Sequence, residues 1–127
     1  MKRVTGIGGI FFKCNDVSQT KQWYKEHLGI PADQYGANFK WLDLDTKEEG
    51  LTVWNPFPAD TRYFDPSQQS FMINYRVADL EALLEELKSE DVTIVGDMET
   101  FEYGKFAWIL DPNGNKIELW EPIDGVL

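Results

Sequence analysis

The 127 residues include one cysteine and one histidine. A lone cysteine excludes an intramolecular disulfide, and a lone histidine excludes any metal or catalytic site needing two from the same chain. Positive charge is scarce: 12 Lys and Arg against 22 Asp and Glu leave a formal net charge of −10. That is the wrong sign for phosphate recognition, so no nucleic-acid partner is expected. No run approaches the roughly 18 apolar residues of a membrane helix, and no membrane association is expected. The apolar stretch 4–12 is broken by Gly6, Gly8 and Gly9, ends at Lys13 and lacks a small-residue cleavage site. It reads as a buried first strand, not a signal peptide. P-loop, dinucleotide-binding glycine pattern, nucleophile elbow and CxxC pair are all missing. What is present is 43% hydrophobic and 27% charged residues, ordinary for one globular domain and consistent with a soluble cytoplasmic protein.

Two segments carry helical periodicity. Asp79 precedes a helix whose Leu80, Leu83, Leu84 and Leu87 share one face. Asp16 precedes another, with Val17, Trp23, Tyr24 and Leu28 inward and Gly29 as its stop. Each follows an apolar strand, residues 7–14 and 71–77. The caps are 79 − 16 = 63 positions apart, and the same shift places Phe12 on Tyr75 and Lys13 on Arg76. Further on, Leu51-Thr52-Val53-Trp54-Asn55-Pro56 matches Ile117-Glu118-Leu119-Trp120-Glu121-Pro122 at an offset of 120 − 54 = 66. Two ordered matches indicate an internal duplication. Strand-like segments 39–44 and 105–110, the latter ending in Asp111-Pro112-Asn113-Gly114-Asn115, supply hairpins. Short strands are also expected near 32–35 and 91–95. The fold class is therefore α+β, two β-α-β-β-β modules at 1–56 and 71–127. The stretch between them, 57–70, is either a linker or a functional flap, with linker preferred.

Strand alternation sorts the side chains. One face takes Ile10, Phe12, Cys14, Leu51, Val53, Ile73, Tyr75, Val77, Ile117 and Leu119, suited to lie beneath the helices. The other takes Gly9, Phe11, Lys13, Thr52, Trp54, Met72, Asn74, Arg76, Glu118 and Trp120. Aromatics mixed with a carboxylate, an amide and cations are pocket composition. The expected ligand-binding residues are Phe11, Thr52, Trp54, Met72, Asn74, Arg76 and Trp120.

The paired modules, the Trp23-Tyr24-Lys25-Glu26-His27-Leu28-Gly29 helix end and the segment Asp111-Pro112-Asn113-Gly114-Asn115-Lys116-Ile117-Glu118-Leu119-Trp120 resemble the vicinal oxygen chelate superfamily. That group includes glyoxalases, bleomycin-resistance proteins and extradiol dioxygenases. The resemblance implies an incomplete, U-shaped barrel around a central cavity, usually completed as a homodimer. It also implies a divalent metal held by four side chains, which map onto Gly9, Thr52, Met72 and Glu118. Only Glu118 is a conventional ligand: glycine has no side chain, threonine is a poor donor and methionine is soft. No cofactor is expected, since one carboxylate holds a divalent metal only with large help from substrate.

Glu118 is the sharpest single residue. In an aromatic cavity it is a candidate catalytic base or ligand contact; equally, it can bond Asn74 as a structural group. Lys13 and Arg76, related by the repeat, are either anion contacts or exposed charges beside the helix caps. Tyr103 and Lys105 flank a glycine that can set either at the pocket mouth. His27 suits the helix C-terminus, and Cys14 reads as a buried, inert thiol. The leading expectation is a metal-independent protein that binds a small molecule. The alternatives are a glyoxalase-like lyase or isomerase acting on a small carbonyl substrate, and a dimerisation module without a ligand.

Overall fold

The computed structural model describes residues 3–123. In chain order it forms β1 (Val4–Cys14), α1 (Val17–Leu28), β2 (Ala37–Leu42), β3 (Glu49–Pro58), β4 (Phe71–Val77), α2 (Leu80–Ser89), β5 (Glu99–Phe101), β6 (Gly104–Leu110) and β7 (Lys116–Pro122). The strands make one mixed sheet in the order β2-β3-β1-β4-β7-β6-β5, open and not closed into a barrel. β1 and β4, the first strands of the two modules, pair antiparallel at its centre. Each pairs in parallel with the last strand of its own module, β3 and β7.

Both helices begin as their sequences require. Asp16 accepts a hydrogen bond from the Gln19 amide at 3.0 Å, and Asp79 from the Ala82 amide at 3.1 Å. Their burial differs. Leu80, Leu83, Leu84 and Leu87 of α2 are all buried, in one core with Val77, Ala107 and Leu119. α1 has no fully buried residue. Tyr24 is half-buried against Phe12 and Trp54, but Trp23 is 52% exposed and Leu28 61%. The inward placement expected for those two is corrected: only the Tyr24 edge of the helix meets the sheet.

The ladders also correct the repeat in its later part. Phe11 lies beside Asn55, and Asn74 beside Glu118. Because 118 − 55 and 74 − 11 both equal 63, one offset relates β1 to β4 and β3 to β7. The true counterpart of Glu118 is Asn55, not Thr52. The Trp54–Trp120 match misleads by three positions, and an odd slip in a strand exchanges its faces. Trp54 therefore lies on the helix side, packed on Phe12 and Tyr24, while Val53 lies on the opposite side.

The strand expected at 91–95 shortens to a bridge between Ile94 and Ile109; β5 follows after Gly96, whose φ of +73° kinks this edge. The 32–35 segment contributes only a bridge between Asp33 and Gly36.

Leu80 has no exposure and anchors the α2 core. Leu80→Ala should cost about 2–4 kcal/mol of unfolding free energy, measured by urea titration.

Candidate functional site

The face opposite the helices is built around Glu118. This carboxylate is 3% exposed. Its Oε1 accepts from Asn74 Nδ2 at 2.6 Å, and its Oε2 from Trp108 Nε1 at 2.9 Å and from the Tyr63 hydroxyl. The three donors come from β4, β6 and the segment between the modules. Burial and the facing carboxylate push the Tyr63 hydroxyl far above its ordinary range, so it stays protonated and donates. The Lys116 ammonium donates to the Tyr63 carbonyl at 2.7 Å and lies over the Tyr63 and Trp108 rings. Desolvation draws its pKa down.

Tyr63 belongs to the 57–70 stretch that joins the two modules, and part of that stretch is buried. β3 itself runs on to Pro58, Phe64 is wholly buried against Met72 and Trp108, and Ser67 is 3% exposed. Residues 57–70 cover part of the sheet face and complete the Glu118 network.

Beside this network is a cavity of about 710 Å³. Phe11, Tyr35, Tyr103, Phe106 and Trp120 form its rings; Glu118, Asn74 and Asp33 are polar lining residues. Phe106 and Trp120 stack with centroids 5.7 Å apart. The Trp120 Nε1–H donates to the Tyr103 carbonyl at 3.0 Å, fixing the indole.

One wall depends on a backbone irregularity. The β1–β4 register shifts between Ile7 and Gly9, bulging the strand at Gly8. A Cβ on Gly8 would fall 2.2 Å from Asn74 Oδ1 and 3.0 Å from Trp120 Cε3. The bulge thus lets a buried amide and an indole lie directly against the backbone.

Of the expected ligand-binding residues, Phe11, Asn74 and Trp120 line this cavity together with Glu118. Four are placed elsewhere. Trp54 faces α1. The Thr52 hydroxyl donates to the Ile7 carbonyl at 2.5 Å and accepts from Trp41 Nε1 at 2.9 Å. Met72 is sealed beneath Phe64. Arg76, 4% exposed and not a surface charge, sits between the Trp41 and Trp120 rings, 5.4 and 5.2 Å from their centroids. It lines a second cavity of about 350 Å³. Lys13 lies over Phe64, and half-buried Cys14 contacts the Phe57 carbonyl. Tyr103 reaches the cavity, while Lys105 pairs with Glu81 at 2.7 Å. His27 stays exposed against Trp23 at the end of α1.

The residues present do not fit a metal chelate. Along the ladders the four positions carry Gly9, Met72, Asn55 and Glu118, and Glu118 is already held by three hydrogen bonds. Among the described residues no group of three His, Cys, Asp or Glu converges.

A family model for the Glyoxalase/Bleomycin resistance protein/Dioxygenase superfamily matches residues 6–119. The chain belongs to this superfamily. Solved structures with the same fold include methylmalonyl-CoA epimerase from Mycobacterium tuberculosis, 23% identical, with TM-score 0.60, covering 97% of this chain and 91% of that one. A variant of the Streptomyces coelicolor methylmalonyl-CoA epimerase is 18% identical, with TM-score 0.69 over 95% and 96% of the two chains. A superfamily member from Vibrio splendidus 12B01 is 15% identical, with TM-score 0.58 over 91% and 97%. At these identities the likeness concerns the fold. A comparison with curated proteins gives no match. No helix among the described residues is long and apolar enough to cross a membrane.

Tyr63→Phe removes one donor from a buried carboxylate while keeping the ring. It should cost about 1–2 kcal/mol of stability, read as a lower urea midpoint at unchanged slope.

Proposed function

We propose that this chain is a small-molecule-binding protein, its ligand seated in the 710 Å³ cavity with no metal held by protein side chains. One observation carries the reading: the cavity is of ligand size, ringed by aromatics, and its polar groups are fixed in place by their own hydrogen bonds. Such preorganisation lowers the ordering cost of binding. The fold shared with methylmalonyl-CoA epimerases does not bring their substrate with it. A CoA ester carries phosphates, and no Lys, Arg or His is among the described residues lining the cavity.

A lyase or isomerase using Glu118 as base is a second reading, favoured by the carboxylate's place on the cavity wall. It fits less well. Asn74 aims its N–H at Glu118, so the donor that would polarise a substrate carbonyl is already engaged. The partner we infer is a second copy of the chain, against the α1 side. There Trp23, Leu28, Ile10 and Phe71 leave apolar surface uncovered in an otherwise strongly acidic chain.

Titration with an aromatic fragment set, followed by NMR, should move the Trp120 indole N–H and leave Trp23 unaffected; no movement at millimolar fragment sinks the binding reading. One zinc or nickel tightly bound per purified chain, by elemental analysis, would overturn the metal-free part. Turnover of a small carbonyl compound that Glu118→Gln abolishes without loss of binding would select the enzyme. For the partner, light scattering should give twice the chain mass, falling to one in Leu28→Glu.

A further inference from the structure

Resting on the cavity as the ligand site, we infer that the ligand it selects is an uncharged aromatic molecule, held by ring contacts and burial and not by an ion pair or hydrogen bond to the cavity interior.

The polar groups of the interior are committed to one another. Glu118 Oε1 accepts from Asn74 Nδ2 at 2.6 Å, and Oε2 from Trp108 Nε1 at 2.9 Å and from the Tyr63 hydroxyl. The Trp120 Nε1–H donates to the Tyr103 carbonyl. Asn74 Oδ1 lies against the Gly8 backbone, 2.2 Å from where a Cβ would stand, and offers a ligand almost no surface. The charge of Glu118 is balanced from within the protein. Lys116 lies over the Tyr63 and Trp108 rings that hold the carboxylate, and Arg76 lies over Trp120. Neither cation lines the cavity.

What the interior offers a ligand is carbon. Phe11, Ala37 and Val53 come from the first module, and Tyr103, Phe106 and Trp120 from the second. Asp33 and Asn38, the polar lining residues that are exposed, flank the start of β2 and stay in contact with water. An ion of either sign would leave water for an interior whose carboxylate, amide and indole N–H groups are already engaged, and a buried charge without a partner is costly. An uncharged ring system gives up little hydration. It gains edge and face contacts with Tyr103 and Phe106, which are only half-buried and so have surface left to cover. These rings are set in advance: Tyr103 stacks on Phe101 with centroids 5.3 Å apart, and Phe106 on Trp120 at 5.7 Å.

Four bicyclic probes separate charge from ring character: 2-naphthylmethanol, 2-naphthylmethylamine, 2-naphthoate and the saturated decahydro-2-naphthylmethanol. They are compared on the full chain at neutral pH by calorimetry, with the Trp120 indole N–H followed by NMR. The aromatic alcohol should move that N–H and bind about tenfold or more tightly than either ion, a difference of about 1.4 kcal/mol or more. It should also bind about threefold or more tightly than its saturated analogue. Phe106→Leu keeps an apolar side chain and removes the ring. It should shrink the aromatic-over-saturated ratio and leave the preference over the ions unchanged; Tyr103→Leu should do the same, so either variant that folds decides. An ion binding as tightly as the alcohol overturns the uncharged ligand and leaves the cavity reading intact. Equal binding of the saturated analogue, or a ratio that survives the ring deletions, overturns recognition by the rings. Binding of none at millimolar concentration, or binding that leaves the Trp120 N–H unmoved, overturns the cavity reading as well.

Discussion

A carboxylate inside a protein is tolerable only when fixed donors replace the water it has lost. For Glu118 those donors come from three parts of the chain that are distant in sequence. Asn74 belongs to the neighbouring parallel strand, Trp108 to the antiparallel neighbour, and Tyr63 to the segment that crosses from one module to the other. Meeting this need orients the indole, turns the amide and ties the crossing segment down. Lys116 then holds the Tyr63 backbone from outside. The aromatic cavity beside the network inherits its rigidity from these commitments.

Much of the scaffold was legible in the sequence, because it depends on local rules. The caps at Asp16 and Asp79, the leucine face of α2 and the turn after Leu110 each follow from residues within a few positions of one another. The duplication was legible as well, and the central β1–β4 pairing respects its 63-residue offset. The phase of β3 was not. Two tryptophans in similar hexamers suggested equivalence, but Asn55 pairs with Phe11 as Glu118 pairs with Asn74, so the hexamer likeness is out of phase with the ladders and Trp54 ends on the helix side. A period of two makes any such odd slip decisive for every residue on the strand.

Half of the candidate site was hidden for another reason. Phe11, Asn74, Glu118 and Trp120 follow from alternation within paired strands. Tyr63 and Phe64 lie in a stretch without periodicity, where nothing local announces burial. The one available signal was the aromatic content of residues 57–70, unusual for a solvated linker. The exposure of Trp23 and Leu28 was hidden similarly: helical spacing identifies an apolar face, but what covers it lies outside the local sequence.

The central strand pairs give the molecule an approximate two-fold relation, and its occupants break it. Phe11 and Asn55 stand where Asn74 and Glu118 stand in the other half. A scaffold with two related halves thus carries different groups at matching positions. The buried carboxylate of one half therefore has no charged counterpart in the other, and the duplication does not give two equivalent sites. A guest with matching ends would gain nothing from the symmetry of its host.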